Sequence, residues 1–264
     1  MLLTDKVIVI TGAAGGIGRA LALRFLREQP AYIMLADLRL DSVAAVAREL
    51  DPEGGHVGAA ACDVGDAAAV QRLVTDVENR CGRIDLFCAN AGVFIDGGVD
   101  VDISAWQRSL DINLMSHIYA ARACLPGMLQ RGAGYFLHTI SAAGLLSQIG
   151  SAPYTVSKHA ALGFAEWLAI SHGQQGINVT ALCPQGVQTA MLDNLGNAKS
   201  VASDGVLTPE AVAECALEAI AAEKFLALPH PGVATYFQRK AGDHDRWIRG
   251  MQRFQNSLQQ EPPQ

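Results

Sequence analysis

Residues 6–18 read KVIVITGAAGGIG, an apolar run followed by four glycines within eight residues. A run this apolar reads as a strand buried on both faces. The next stretch, GIGRALALRFLREQ at 16–29, spaces Ile17, Leu21 and Phe25 by four, as one face of a helix does. A glycine-rich turn between such a strand and such a helix has two readings. It is a structural turn, or it is a cradle for a phosphate. In a cradle, glycine lets the backbone approach the ligand, and the helix N-terminus offers unpaired N–H groups and a positive dipole end. Gly12, Gly16 and Gly18 fit T-G-x-x-x-G-x-G. Gly12 would turn the chain, Gly16 with Ile17 would meet a pyrophosphate, and Gly18 would let the helix pack close to the strand. No Gly-Lys-Ser/Thr follows, which excludes a P-loop.

The same alternation continues outward. Apolar runs at 32–37, 56–64, 84–90, 134–141, 177–184 and 224–229 predict six more strands. Helical patterns at 41–50, 66–82, 104–131 and 153–173 separate them, with Asp66 and Gly82 marking the ends of the second. Strands that are continuously apolar predict a mainly parallel, doubly wound α/β sheet covered on both faces. No linker interrupts 1–264, so one domain is expected. Two segments fall outside the repeat. Residues 187–206 are rich in Gly, Asn and Ser and read as a substrate flap. Residues 232–258 read as an added C-terminal helix, with Trp247, Met251, Phe254 and Leu258 at helical spacing and packing as their main role.

Composition narrows the function. Half of the 264 residues are hydrophobic and 17% are charged, a globular composition. The net charge of −6 gives no footprint for nucleic acid. The arginines between Arg239 and Arg253 are diluted by Asp243, His244 and Asp245 and read as a solvated helix face. No run approaches the length of a membrane span, and MLLTDK does not resemble a signal peptide. The six cysteines form no C-x-x-C pair, so buried free thiols in a reducing cytoplasm are expected, with no metal site.

The second strand ends in Asp37, where a carboxylate would accept hydrogen bonds from an adenosine ribose and repel a 2′-phosphate. The alternative is a capping or turn aspartate. Gly15 offers no basic side chain before Gly16, and Leu38 follows Asp37. These residues favour NAD over NADP; Arg39 is the one dissenting charge. Farther on, Ser141 ends a strand, and Tyr154 and Lys158 stand four apart in YTVSK, on one helix face. An ammonium beside a tyrosine favours the phenolate, making it a usable acid or base. Ser141 would hold the same substrate oxygen. A surface Tyr–Lys pair is the bland alternative. It loses ground because the serine and the glycine turn stand in the same chain.

With TGAAGGIG, CDV at 62–64, NAG at 90–92, DINLMS around Asn113, Ser141, YTVSK and PQGVQT at 184–189, the sequence resembles the short-chain dehydrogenase/reductase family. The motifs stand in family order over residues 4 to about 190. The resemblance implies a Rossmann-type, doubly wound, seven-stranded sheet with helices on both faces. It implies that Tyr154 is the general acid/base. Lys158 would lower its pKa and hold the nicotinamide ribose, and Ser141 would stabilise the substrate oxygen. Asn113 would hold a water linking Lys158 to solvent. Asp63 and Val64 would contact the adenine, Asn90 and Gly92 would line the cofactor cleft, and Pro184, Val187 and Thr189 would border the nicotinamide. Asn113, Asn90 and Asp63 also admit plainer readings, as a buried polar residue, a turn and a helix cap.

Two departures stand out. Pro184-Gln185 replaces the usual Pro-Gly, and LPHPG at 228–232 replaces the common Asp-Gly-Gly ending. The expected pocket is formed by Val93, Phe94, Ala142, Ala143, Leu145, Leu146, Met191 and Leu192, with Gln148 and Gln185 as polar contacts. His138 is expected to be structural. The expectation is an NAD-dependent dehydrogenase that oxidises a hydrophobic secondary alcohol, steroid-like or aromatic, to a ketone as a cytoplasmic homodimer or homotetramer. The rivals are a silent dinucleotide-binding scaffold, a reductase working toward the alcohol, and an epimerase-, dehydratase- or dehalogenase-like relative.

Overall fold

A computed structural model describes residues 1–193 and 204–260. The strands are β1 (Val7–Thr11), β2 (Tyr32–Asp37), β3 (Val57–Ala61), β4 (Leu86–Ala89), β5 (Gly134–Thr139), β6 (Ile177–Leu182) and β7 (Leu226–Ala227). They form one seven-stranded sheet in the order β3-β2-β1-β4-β5-β6-β7, and every pairing is parallel. The winding reverses between β1 and β4. In sheets of this kind ligands bind beyond the carboxyl ends of the strands at that reversal.

The helices are α1 (Gly16–Leu26), α2 (Leu40–Leu50), α3 (Ala67–Cys81), α4 (Ile103–Leu110), α5 (Ser116–Arg131), α6 (Ala152–His172), α7 (Ala190–Asp193), α8 (Pro209–Ala221), α9 (Gly232–Gly242) and α10 (His244–Gln260). On one face of the sheet Leu21 and Phe25 of α1, Val43 of α2 and Val212 and Ile220 of α8 pack on Ile8, Ile10 and Leu35. On the other, Val74 and Val77 of α3, Cys124 and Met128 of α5 and Leu168 of α6 pack on Val9, Phe87 and Phe136. Strand residues of alternate parity therefore enter different apolar layers, which is why the strands carry almost no polar residues. Each fully buried Leu, Ile or Phe contributes about 1.5–3 kcal/mol.

Four details differ from the sequence expectation. The 104–131 helix is broken by a π-helical turn at Asp111–Met115, between α4 and α5. The 232–258 helix is two helices. Asp243 is extended (φ −154°, ψ 92°), and its carboxylate accepts from the Arg246 N–H at 2.9 Å, so one residue ends α9 and caps α10. The last two strands are shorter than their apolar runs, β7 having only two residues. Helix α8 was not anticipated, although Thr208 caps it through the Ala211 N–H and Pro209 sits in its first turn. Asp66 and Gly82 do bound α3 as expected: Asp66 accepts from Ala68 N–H, and Gly82 is left-handed.

The flap expected at 187–206 lies partly outside the described residues. Its described ends are joined by a bridge between Val187 and Leu207, with α7 following. Among the described residues no helix is long and apolar enough to cross a membrane, and no cluster of His, Cys, Asp or Glu could hold a metal ion.

Candidate active site

A cavity of about 760 Å³ runs along the carboxyl ends of the strands. Six successive strand ends supply its walls: Asp37 and Leu38 after β2, Cys62 to Val64 after β3, the glycine turn after β1, Asn90 to Phe94 after β4, Ser141 after β5, and Pro184 to Val187 after β6.

The glycine turn is shaped by close backbone approach. Gly12 is left-handed (φ +65°), and a Cβ there would stand 2.9 Å from Ala91 Cα. A Cβ on Gly18 would stand 2.2 Å from the Gly12 carbonyl oxygen, so α1 seats directly on its own entry turn. Gly18 therefore acts from behind the cavity wall. Gly12, Gly15, Gly16 and Ile17 line it. No side chain caps α1, and nothing stands within 4 Å of a Cβ placed on Gly15, so the entry to the helix is open at Gly15. These features fit the pyrophosphate of a dinucleotide.

Asp37 lines the cavity and also holds the turn: its carboxylate accepts from Ala14 N–H at 3.0 Å and Leu38 N–H at 2.8 Å. The turn reading of Asp37 is met by these bonds, and the side chain also borders the cavity. Asp63 is exposed, lines the cavity beside Val64, and accepts from Gly65 N–H; the α3 cap is Asp66. Asn90 laces three strand ends together. It donates to the Thr11 carbonyl at 3.0 Å and accepts from the Thr139 hydroxyl at 2.9 Å. Gly92, Pro184, Val187 and Thr189 line the cavity farther along.

Ser141, Tyr154 and Lys158 meet at one end. Ser151 positions the tyrosine: it caps α6, accepting from Tyr154 N–H at 3.2 Å and donating to the Ile95 carbonyl. The Lys158 ammonium lies 5.7 Å from the centroid of the Tyr154 ring and donates to the Thr139 carbonyl at 3.0 Å. Ser141 takes φ +100°, ψ 151°, a region almost confined to glycine. Its hydroxyl donates to the Pro184 carbonyl at 3.3 Å.

The electrostatics correct one expectation. Lys158 was expected to lower the Tyr154 pKa. Burial instead raises it, and the hydrogen bond with Ser141 opposes that rise only in part. The physical reason is that the phenol is almost wholly withdrawn from water, which penalises its charged form, and the Cys183 thiol adds to the rise. Burial also lowers Lys158 to about 8.

Asn113 is fully buried in the π-helical turn and does not line the cavity. Its carboxamide accepts from Val93 N–H and donates to the Val93 carbonyl, both at 2.9 Å, and donates to Ser157 and Ser109. The side chain is a latch, with its bonds committed to protein. Only Gly92 separates it from Lys158: a Cβ there would stand 3.2 Å from Asn113 Oδ1 and 3.5 Å from Lys158 Nζ.

Of the expected pocket residues, Val93, Phe94, Ala142, Ala143, Leu146, Gln148, Gln185, Met191 and Leu192 line the cavity. Leu145 does not. It is 2% exposed and packs with Ile140, Leu162 and Val233. Trp247, Met251 and Phe254, expected mainly to pack, line the cavity, as do Tyr236 and Arg239. Trp247 does both, because it also packs on the core under α9. Lys240 ties this segment to the body by donating to the Leu145 and Leu146 carbonyls at 2.8 and 3.1 Å. The helical spacing of Trp247, Met251 and Phe254 was the only signal for this wall, and spacing does not say what a stripe faces. His138 is fully buried, as expected of a structural residue. It pairs with His117, Nδ1 to Nδ1, at 2.7 Å, a partner that spacing could not indicate.

Comparison with known proteins agrees with this arrangement. Residues 6–200 match the short chain dehydrogenase family. A 1-deoxy-11-beta-hydroxypentalenate dehydrogenase of Streptomyces exfoliatus is 34% identical over 229 residues, covering 85% of this chain and 83% of that one. A meso-2,3-butanediol dehydrogenase of Serratia marcescens is 34% identical over 192 residues, covering 72% and 75%. A short chain dehydrogenase/reductase from Burkholderia phymatum, solved in complex with NAD, superposes with a TM-score of 0.84 at 27% identity, covering 100% of this chain and 98% of that one. The glycine turn, the serine–tyrosine–lysine end and the parallel sheet that joins them thus make the chain a member of the short-chain dehydrogenase/reductase family of oxidoreductases.

Proposed function

We propose that the protein is an NAD-dependent dehydrogenase of a hydrophobic secondary alcohol, working in the ketone direction or its reverse. The observation that carries this reading is the meeting of Ser141, Tyr154 and Lys158 at one end of a cavity whose other end holds the glycine turn and Asp37. NAD, when bound, supplies the hydride acceptor. Gly12, Gly15, Gly16 and Ile17 hold its pyrophosphate, Asp37 its adenosine ribose, and Asp63 and Val64 its adenine. Asn90, Gly92, Pro184, Val187 and Thr189 border the nicotinamide. Preference for NAD is supported by the Asp37 carboxylate in the wall, by the glycine at 15, and by Leu38, which is 64% exposed there. Arg39 is not part of the cavity wall.

Ser141 and Tyr154 hold the substrate hydroxyl oxygen, and Tyr154 takes its proton. Lys158 supplies positive charge beside the developing phenolate. Asn113 acts from behind Gly92: its carboxamide, committed to Val93, Ser109 and Ser157, fixes the chain beside Lys158. The raised Tyr154 pKa keeps the phenol protonated near neutrality.

The apolar lining supports a hydrophobic substrate: Phe94, whose ring lies 5.1 Å from that of Tyr154, Leu146, Met191, Trp247 and Phe254. The relatives, named as dehydrogenases of hydroxy compounds, support alcohol chemistry. Trp167 and Ile170 are 56% and 82% exposed on α6, which supports a homo-oligomer. The free cysteines support a cytoplasmic setting.

Tyr154→Phe tests the reading. NAD affinity stays within about twofold, while turnover falls at least about 100-fold. Wild-type oxidation rises with pH above 7, because the base is the deprotonated phenol, and the variant loses that slope. Full activity in the variant overturns the assignment.

A further inference from the structure

Gln185 stands where the family usually has glycine, and its surroundings give that side chain an unusual position. Its backbone is fixed on both sides. The preceding Pro184 carbonyl accepts from the Ser141 hydroxyl at 3.3 Å and from Ala142 N–H at 2.8 Å, and Gln185 N–H donates to His230 Nδ1 at 3.2 Å. The side chain lines the cavity, one peptide away from the group that holds the serine. Its Oε1 is buried and has no hydrogen-bond partner among the described residues. A carbonyl oxygen shielded from water without a donor is unfavourable, and a ligand that supplies the donor removes that cost. A hydroxyl answers that oxygen by donating to it, and its own oxygen remains free to accept.

We propose that Gln185 is a specificity-determining residue that hydrogen-bonds a second hydroxyl of the substrate, one or two carbons from the reacting carbinol. The substrate is then an apolar 1,2- or 1,3-diol, and the product the matching hydroxyketone. This rests on the reading of Ser141, Tyr154 and Lys158 as the reacting centre. A plain alcohol leaves the carboxamide unanswered and is rejected about ten- to a hundredfold.

The test uses matched pairs with NAD: trans-1,2-cyclohexanediol against cyclohexanol, and 1-phenylpropane-1,2-diol against 1-phenyl-1-propanol. Wild type favours the diol of each pair at least tenfold in kcat/KM. Gln185→Leu abolishes that ratio, and Gln185→Glu, which keeps an acceptor oxygen, retains most of it. Equal kcat/KM within the wild-type pairs, or a ratio that survives in Gln185→Leu, overturns the proposal. Calorimetry on the NADH complex of Tyr154→Phe decides without turnover. There 2-hydroxycyclohexanone binds at least tenfold tighter than cyclohexanone, and adding Gln185→Leu removes the difference; equal affinities overturn the proposal. If no alcohol is oxidised, the dehydrogenase reading fails, while this binding ratio still decides for or against Gln185.

Discussion

The two ends of the cavity are built by different means. At the glycine end the shape is set by main chain. Gly18 lets α1 touch the Gly12 carbonyl, Gly12 passes close to Ala91, and Asp37 ties Ala14 and Leu38 by their N–H groups. At the other end the wall is made of side chains from distant segments: Phe94 after β4, Leu146 before α6, Gln185 after β6, and Trp247, Met251 and Phe254 from α10. A backbone cradle tolerates almost no change, because the neighbouring atoms cannot move aside. A side-chain wall can be altered residue by residue while the cradle stays intact.

That contrast can be broken experimentally. The largest effect belongs to Gly18→Val. A side chain there meets backbone at 2.2 Å, so the variant loses about 1–3 kcal/mol or more of stability together with NAD affinity. Thermal unfolding and titration with NAD measure both, and a variant normal in both would show that the approach is not limiting. Next comes Asp37→Ala with Leu38→Arg. Removing the carboxylate and adding a guanidinium shifts the ratio of kcat/KM for NAD and NADP at least about tenfold toward NADP. Loss of the Ala14 and Leu38 acceptor costs about 1 kcal/mol in unfolding experiments. An unchanged ratio would remove Asp37 as the ribose ligand. The smallest effect is expected from Trp247→Ala at the side-chain end. KM for an aromatic alcohol rises about fivefold to tenfold, since part of an apolar contact is lost. NAD affinity stays within about twofold. Equal losses in both would show that the two ends are not separable.

The same contrast explains how much was legible in the sequence. TGAAGGIG could be read because backbone approach demands glycine at fixed local spacing, and Asp37 because strand ends align. Tyr154 and Lys158 could be read because helix geometry places residues four apart on one face. Leu145 could not be separated from Leu146, since both are apolar and only the chain path decides which one faces the cavity. The break at Asp243 was hidden because one residue leaving the helical region does not disturb an apolar stripe on either side. The rise in the Tyr154 pKa was hidden for a related reason. It depends on how completely the phenol is buried and on the Ser141 hydroxyl that opposes the rise, and neither is a property of YTVSK.

Ser141 carries a consequence of its own. Its conformation at φ +100° costs a non-glycine residue about 1–3 kcal/mol, and glycine would adopt it without strain. A population of these chains selected only for heat resistance would therefore drift toward glycine at this position. On the proposed reading, the strain of this serine is the cost of placing a hydroxyl where the substrate oxygen reacts.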